Sequence, residues 1–337
     1  MISVIVVNWN RRDLLRACLS SLARQAGVVF EVILVDNGSS DGSAEMAETE
    51  FRRAPFDLRM IRNRENRGFC AANNQGIAVA RGEFVALLNN DAEAAPDWLA
   101  ALRRMFEGRP EVGMAASKIL AYEDPRRIDK AGHLIYPDGQ NRGRGTGALD
   151  NGQYDRVAET LWPDGCAAMY RKQMFDQIGG FDEDFFAYGD DAELGLRARI
   201  AGWKCLYAPD AVVRHHRGST MGLASSRRLE LIERNRVLLA VKLFPWSLLW
   251  LNPAYYAARL GAGILAAHRS EGETARFPGA FGKLRMARAL VLGDLQALRL
   301  VPRMIRKRGE VRKISKLSSK EVRQLILANR ASVREVL

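Results

Sequence analysis

The sequence predicts an α/β fold: a mostly parallel sheet flanked by helices, followed by a helical C-terminal extension. Three observations carry this prediction. Short apolar runs without polar alternation, such as residues 84–88, read as strands buried on both faces. Segments with apolar residues at helical spacing separate these runs, which implies right-handed crossovers between parallel strands. Beyond about residue 220 strand patterning stops, and helical periodicity and positive charge take over.

The first strand is Ser3 to Asn8, a β-branched run. Leu14, Leu15, Cys18, Leu19 and Leu22 recur behind it at helical spacing. Glu31 to Val35 is a second strand and runs into Asp36-Asn37-Gly38-Ser39-Ser40-Asp41-Gly42, a dense turn cluster. Arg59-Met60-Ile61 is a weak third strand, and a helix starts near Gly68 and passes through Asn73, Asn74 and Ile77. The strand Phe84 to Leu88 stops abruptly at Asn89-Asn90-Asp91. Pro96-Asp97-Trp98 opens the next helix, with proline suited to its first turn. These strands end in polar residues: Asn8, Asp36, Asn63 or Asn66, and Asp91. In an open α/β sheet the ligand crevice lies outside those strand ends.

Composition narrows the function. The 337 residues are 47% hydrophobic and 27% charged, enough for a large core and for roughly two domains on a prior of about 150 residues each. The net charge is +12, and from Val301 to Leu337 there are 11 Lys and Arg against 3 Asp and Glu. That asymmetry points to an anionic partner at one end. Cys18, Cys70, Cys166 and Cys205 are scattered, which fits buried thiols and not a disulfide frame or zinc site. The Asn37-Gly38-Ser39 sequon is therefore expected to carry no glycan. The opening apolar run, Ile2 to Val7, is too short for a signal peptide. Neither the dinucleotide-binding glycine motif nor the P-loop is present; Asn8-Trp9-Asn10-Arg11 stands where the former would lie. A pyrophosphate bound here needs a metal to balance its charge, with Asp91 as the candidate ligand.

In the second half, Ala121 to Gln153 has glycines and charges but no periodicity, and is expected to be irregular and partly mobile. Order returns at Leu161 to Tyr170, and a short helix from Arg171 closes at Gly179-Gly180. The segment Phe181 to Leu194 gathers Asp182, Glu183, Asp184, Asp190, Asp191 and Glu193 around Phe181, Phe185, Phe186 and Tyr188. Leu194, Arg197, Ala198 and Ala201 follow at helical spacing up to Gly202, so Asp190 and Asp191 sit at a helix N-terminus. Capping accounts for one such Asp. The cluster as a whole suits a carboxylate whose pKa is tuned by apolar surroundings for general-base work. Val212-Val213-Arg214-His215-His216 is a strand running into two of the four histidines.

Taken together these stretches resemble the inverting family 2 glycosyltransferases with a GT-A fold. The similarity spans Ile2 to Gly218 and rests on seven pieces in order: Ser3 to Asn8, Val35 to Asp41, Glu65 to Phe69, Leu87 to Asp91, Gly179 to Glu183, Gly189 to Leu194, and His215. Members similar to bacterial rhamnosyltransferases are nearest, and those share a basic, apolar C-terminal extension. The resemblance implies a nucleotide-binding half, residues 1–120, and an acceptor half, residues 121–220, with residues 221–337 as the extension. It implies that Asp36 holds the base or ribose, that Asn66 and Gly68 lie near the donor, and that Asn8 and Asn90 join them with Asp91. Asp91 matches the last acid of the metal-binding D-x-D element and His215 the later histidine ligand, for Mg²⁺ or Mn²⁺. Asp191 matches the catalytic base, and Trp162, Gly165 and Asp190 are expected at the acceptor. Two positions depart from the family pattern: Asn89 replaces the first Asp of D-x-D, and Asp190 replaces the commoner Glu before the base. Donor and acceptor specificity is expected from Ala121 to Gln153 and from Trp162 to Gly165.

In the extension, Leu243 to Ala258 is uncharged, contains Trp246, Trp250, Tyr255 and Tyr256, and is interrupted by Pro245 and Pro253. It is shorter than the ~20 residues that span a bilayer. Helices lying at a membrane interface fit it, on the inner face of the cell membrane; a helical pair packed on the catalytic domain is the alternative. Ser318 and Glu321 form a capping-box pattern before a helix with one basic face. Anionic lipid suits the charge better than nucleic acid, because no nucleic-acid motif accompanies it. The rival functional readings are a sugar nucleotidyltransferase, which would need a basic glycine-rich phosphate loop, and a nucleotide-sugar-binding pseudoenzyme, raised by Asn89.

Overall fold

A computed structural model describes residues 1–216, 222, 224–269 and 272–336. The chain forms two compact units. The first comprises Met1–His133, Gly143–Arg199 and Trp203–Arg217, and the second Leu134–Arg142, Ile200–Gly202 and Gly218–Leu337. The boundary expected between residues 220 and 221 falls outside the described residues.

The N-terminal elements are β1 (Ile2–Asn8), α1 (Arg12–Leu22), β2 (Phe30–Asp36), α2 (Ser43–Glu50), β3 (Asp57–Arg62), α3 (Gly68–Val79), β4 (Phe84–Leu88), β5 (Ala92–Ala94) and α4 (Trp98–Arg104). There follow β6 (Val112–Ala121), β7 (Ile128–Lys130), β8 (His133–Ile135), β9 (Asn141–Gly143), β10 (Ala158–Glu159), β11 (Ala167–Arg171), α5 (Lys172–Ile178), α6 (Asp190–Ile200) and β12 (Lys204–His215). The main sheet runs β10-β12-β6-β11-β4-β1-β2-β3. Strands β3, β2, β1 and β4 are parallel. β11 is antiparallel to both of its neighbours, β4 and β6.

Both faces of the sheet are covered, which is why its strands read as continuous apolar runs. Val4, Val6, Val32 and Leu34 pack with Leu15 and Leu19 of α1. On the other face Gly76 of α3 lies so close to Ile5 that an added Cβ would stand 2.7 Å from the Ile5 side chain. Each fully buried Val or Leu contributes about 1.5–3 kcal/mol. The parallel register sets Asn8 beside Asp36, so the strand-end residues share one rim.

The stretch from Ala121 to Gln153, expected to be irregular and partly mobile, consists of the short strands β7, β8 and β9 joined by turns. Its order comes from turns and charge pairs, which leave no periodic trace in a sequence. Ile128, Asp129, Ala131 and His133 are all 3% exposed or less. Lys118 of β6 pins the loop beyond by pairing with Asp150 at 2.5 Å and Asp155 at 2.7 Å.

The second unit contains α7 (Ser226–Leu243), α8 (Trp246–Leu249), α9 (Asn252–Arg269), α10 (Gly279–Ile314) and α11 (Ser319–Ala328). A buried ionic network ties it together. Glu233 accepts from Arg236 at 2.6 Å and from Arg259 at 2.8 Å, and Asp138 accepts from Arg259 at 2.6 Å. Every charge in this set faces an opposite one, as burial requires. The expected capping box is present, with the Ser318 hydroxyl accepting from the Glu321 backbone. The uncharged run from Leu243 divides. Leu243, Phe244 and Leu248 are buried, and Tyr255 packs edge-on against Tyr136. Trp246 and Trp250 are 60% and 82% exposed. No helix among the described residues is long and apolar enough to cross a membrane.

Candidate active site

The rim of the sheet carries two groups of side chains, linked by the turn Asp164-Gly165-Cys166. The first group lies at the ends of β1, β2 and β4. Asn8 donates to Asp36 Oδ1 at 3.1 Å, and Asn90 donates to Asn8 Oδ1 at 2.7 Å. Ser39 donates its hydroxyl to Asp36 Oδ1 and its backbone N–H to Oδ2. Asp36 therefore shapes its own turn, as Asx residues do, while standing at the rim. Asn37 of the sequon is buried, and its amide donates to Asn66 Oδ1 at 2.9 Å and to the Gly68 carbonyl at 3.3 Å.

Gly68 opens α3 with φ +84°, and an added Cβ would lie 2.5 Å from the Phe186 ring. Phe186 itself has φ 62° and Tyr188 φ 67°, left-handed conformations that bulky residues rarely adopt. The Phe186 carbonyl accepts from the backbone N–H of Phe69, so α3 and the acidic loop clamp each other. The strain sits beside the rim, where over-determined backbone marks functional positions.

Asp91 and His215 come together, His215 Nε2 lying 3.4 Å from Asp91 Oδ1. His215 Nδ1 is held by Asp129 Oδ2 at 2.8 Å. Burial favours neutral His215, but the neighbouring Cys166, Asp129 and Asp91 outweigh it and hold its pKa well above the ordinary range. Asp91 Oδ1 is buried and makes no hydrogen bond. An oxygen of this kind beside an imidazole nitrogen fits a hard or borderline divalent cation. A carboxylate behind the histidine is the usual orienting partner of a metal-bound imidazole. Asp129 supplies it from the stretch that was expected to set specificity, not to support a metal ligand.

The second group surrounds Asp191 at the N-terminus of α6. Asp191 Oδ1 accepts from Ala192 N at 2.8 Å, and Oδ2 lies 3.4 Å from Gly165 N and 3.5 Å from His133 Nε2. His133 Nε2 also meets Asp164 Oδ2 at 2.8 Å, and Lys130 Nζ pairs with the same carboxylate. Burial pushes Asp191 above the usual carboxylate range; His133 and Lys130 pull it down, and Asp164 pushes it up. Burial opposes charge on Asp164 too, but Lys130 and His133 prevail and hold it well below that range. His133, Asp164 and Asp191 bring three potential metal-ligand atoms within 4.8 Å. Lys130 already neutralises Asp164 there, whereas a cation at the Asp91–His215 pair would need to displace only the His215 proton, so that pair suits a metal better.

Two residues expected at the acceptor are buried. Trp162 is fully buried, with its ring 5.9 Å from that of His133 and Gly195 leaving room for it. It supports His133 and presents no surface to a saccharide. Asp190 is 6% exposed, and its carboxylate accepts backbone N–H groups at the Tyr188 turn. Burial first, then the neighbouring Asp191, drives its pKa well above the ordinary range. Glu193, also from the acidic cluster, is buried against Arg197 at 2.8 Å, and Arg197 holds the Gly180 carbonyl at 2.7 Å. Gly165 does lie between Phe69 and Asp191. Lys130 and His133 were missed for want of a periodic pattern; a His following an Asp-Lys pair and a glycine was the available signal.

Comparison with known proteins gives the family. The model of Glycosyl transferase family 2 matches residues 3–179. The chain is 28% identical over 300 residues to the uncharacterized protein MT1568 of Mycobacterium tuberculosis, covering 86% of this chain and 92% of that protein. It is 28% identical over 243 residues to an N-acetylglucosaminyl-diphospho-decaprenol L-rhamnosyltransferase of the same species, covering 66% of this chain and 78% of the enzyme. Among solved structures, the mannosyltransferase PcManGT from Pyrobaculum calidifontis, in complex with GDP-Man and Mn²⁺, matches with a TM-score of 0.56 and 21% identity, over 88% of this chain and 86% of that one. The fold is GT-A, and the chain belongs to glycosyl transferase family 2.

Proposed function

We propose that this glycosyltransferase moves a sugar from a nucleoside-diphosphate sugar to a saccharide or lipid-linked acceptor with inversion, assisted by Mg²⁺ or Mn²⁺. The observation that carries the reading is Asp191: a carboxylate with a raised pKa at the N-terminus of α6, against the Gly165 turn that leads to Cys166 beside His215. In this reading Asn8, Asp36, Asn66, Gly68 and Asn90 line the nucleotide side. Asp91 and His215 hold the cation, and Asp129 steadies His215. The bound cation would offset the charge of the departing diphosphate.

Asp191 takes the proton of the acceptor hydroxyl. The hydroxyl oxygen forms its bond to the anomeric carbon as the bond from that carbon to the diphosphate oxygen breaks. Attack from the face opposite the leaving group inverts the centre. Holding donor and acceptor in line supplies about 7 kcal/mol or more of barrier reduction in well-oriented cases. The loop from residue 121 to 153 and the turn at Gly165 would set specificity. Deoxyhexose transfer in bacterial surface polysaccharide or glycolipid synthesis is favoured by the rhamnosyltransferase relative. We place residues 1–220 as the catalytic domain and the helical extension against the anionic inner face of the cell membrane. The test is hydrolysis of a panel of UDP-, dTDP- and GDP-sugars with Mn²⁺. Slow hydrolysis of one donor, with transfer from it lost and nucleotide binding kept in Asp191→Asn, supports the reading; no binding of any donor overturns it.

A further inference from the structure

Helix α10 is apolar on two faces, and only one of them is packed. Its inner face is small: Ala289, Gly293 and Ala297 are buried. Gly293 approaches α7 so closely that an added Cβ would stand 2.7 Å from the Glu230 carbonyl oxygen. Its outer face carries Phe281, Leu284, Val291, Leu295, Leu298 and Ile305, each 52% exposed or more. They follow one another by three or four residues, or by seven where a position is skipped, and so form one seam about 36 Å long. Exposed apolar surface on this scale marks an interaction site.

The charge beside the seam identifies the partner. Arg285, Arg288, Arg299, Arg303 and Arg306 are exposed on the same helix. Asp294, the acid on the segment before Glu310, is turned to Arg236 at 3.1 Å and Tyr256 at 2.6 Å. A second copy of the chain fits poorly. Pairing two such seams would put Arg288 and Pro302 in the core, and an antiparallel pair would line its edge with Arg285, Arg299 and Arg306, like charges facing like. A bilayer accepts the same pattern. Apolar side chains enter the acyl boundary while the arginines reach the phosphates. Each cation near an anionic surface adds to binding, within a Debye length.

We propose that the outward face of α10 is the docking surface for an anionic bilayer, with the helix lying flat on it. This rests on the membrane reading above and names its surface. It assigns the contact to α10. The test uses the full chain and sedimentation with vesicles of phosphatidylcholine alone or with about a quarter phosphatidylglycerol. Wild type should sediment with the anionic vesicles and be released as salt rises. Leu295→Asp with Leu298→Asp should lower the partition by about tenfold or more, and Leu295→Ile with Leu298→Ile should not. Arg299→Glu with Arg306→Glu, at exposed positions, gives a second reading if the leucine pair alters folding, and should bind neither vesicle. Equal sedimentation with both vesicle types, or wild-type binding by both variants, overturns the proposal. So does a dimer in light scattering that the aspartate pair converts to monomer, since a second copy would then cover the seam. Donor hydrolysis, measured without vesicles, reports on the transferase reading separately.

Discussion

Replacing Asp191 by Asn keeps the size of the side chain and its bond from Ala192 N, but removes the ability to take a proton. Loss of a general base costs about 10²–10⁴-fold in rate, so turnover should fall by that factor while nucleotide binding stays unchanged. Stability should not fall with it. The Asp191 carboxyl has a folded pKa above its ordinary value, caused first by burial. Such a group stabilises below its unfolded pKa of about 3.9 and loses that contribution as pH rises through the folded value. At neutral pH the Asn variant escapes this cost, so its melting temperature should stay level or rise. The base works ionised, so wild-type turnover falls as pH drops through the raised pKa. His133→Gln removes an influence that lowers this pKa, and should move the acidic limb of the profile to higher pH. Stopped assays across pH 4 to about 9, with calorimetry of nucleotide binding, measure all of this. If Asp190→Asn abolishes turnover while Asp191→Asn keeps it, the base is one residue earlier. If both variants turn over normally, the acidic cluster is structural and the mechanism fails.

Three further outcomes follow from the same geometry. Asp91→Ala and His215→Ala should each remove the Mn²⁺ dependence of nucleoside-diphosphate binding in calorimetry; unchanged dependence in both would eliminate them as ligands. Asp129→Asn should weaken Mn²⁺ binding about 10–100-fold without touching the cation, because it removes the negative charge behind His215 Nδ1; a metal titration with no nucleotide present reads this directly. Glu193→Gln leaves Arg197 buried with its ion pair broken and should cost about 3–5 kcal/mol in chemical denaturation, whereas a catalytic role would lower turnover at unchanged stability.

The sheet was legible because its strands are buried on both faces. Residues 84–88 have no polar alternation, and the structure buries all five. β3, whose residues are intermediate or exposed, gave the weaker pattern for the same reason. Asp91, Asp191 and His215 could be picked out as polar residues where apolar or helical periodicity breaks. Their partners could not. Asp129, Lys130 and His133 reach the site through short strands and glycine turns, whose hydrogen bonds are non-local and leave no period. The indole of Trp162 looked available because a sequence shows an aromatic residue and not what covers it. The acidic cluster likewise read as one functional group, yet Glu193 faces Arg197 in a structural pair while Asp191 faces the rim.

The most direct test of the account is the configuration of the product formed from one nucleotide sugar. Purified full-length protein, donor, Mn²⁺ and an acceptor are combined, and the anomeric proton of the new glycoside is followed by NMR. An α-linked donor should give only the β-glycoside, with release of nucleoside diphosphate that stops on chelation and in Asp191→Asn. A product that retains the donor configuration, or transfer that persists in Asp191→Asn, would contradict direct displacement by a hydroxyl activated at Asp191.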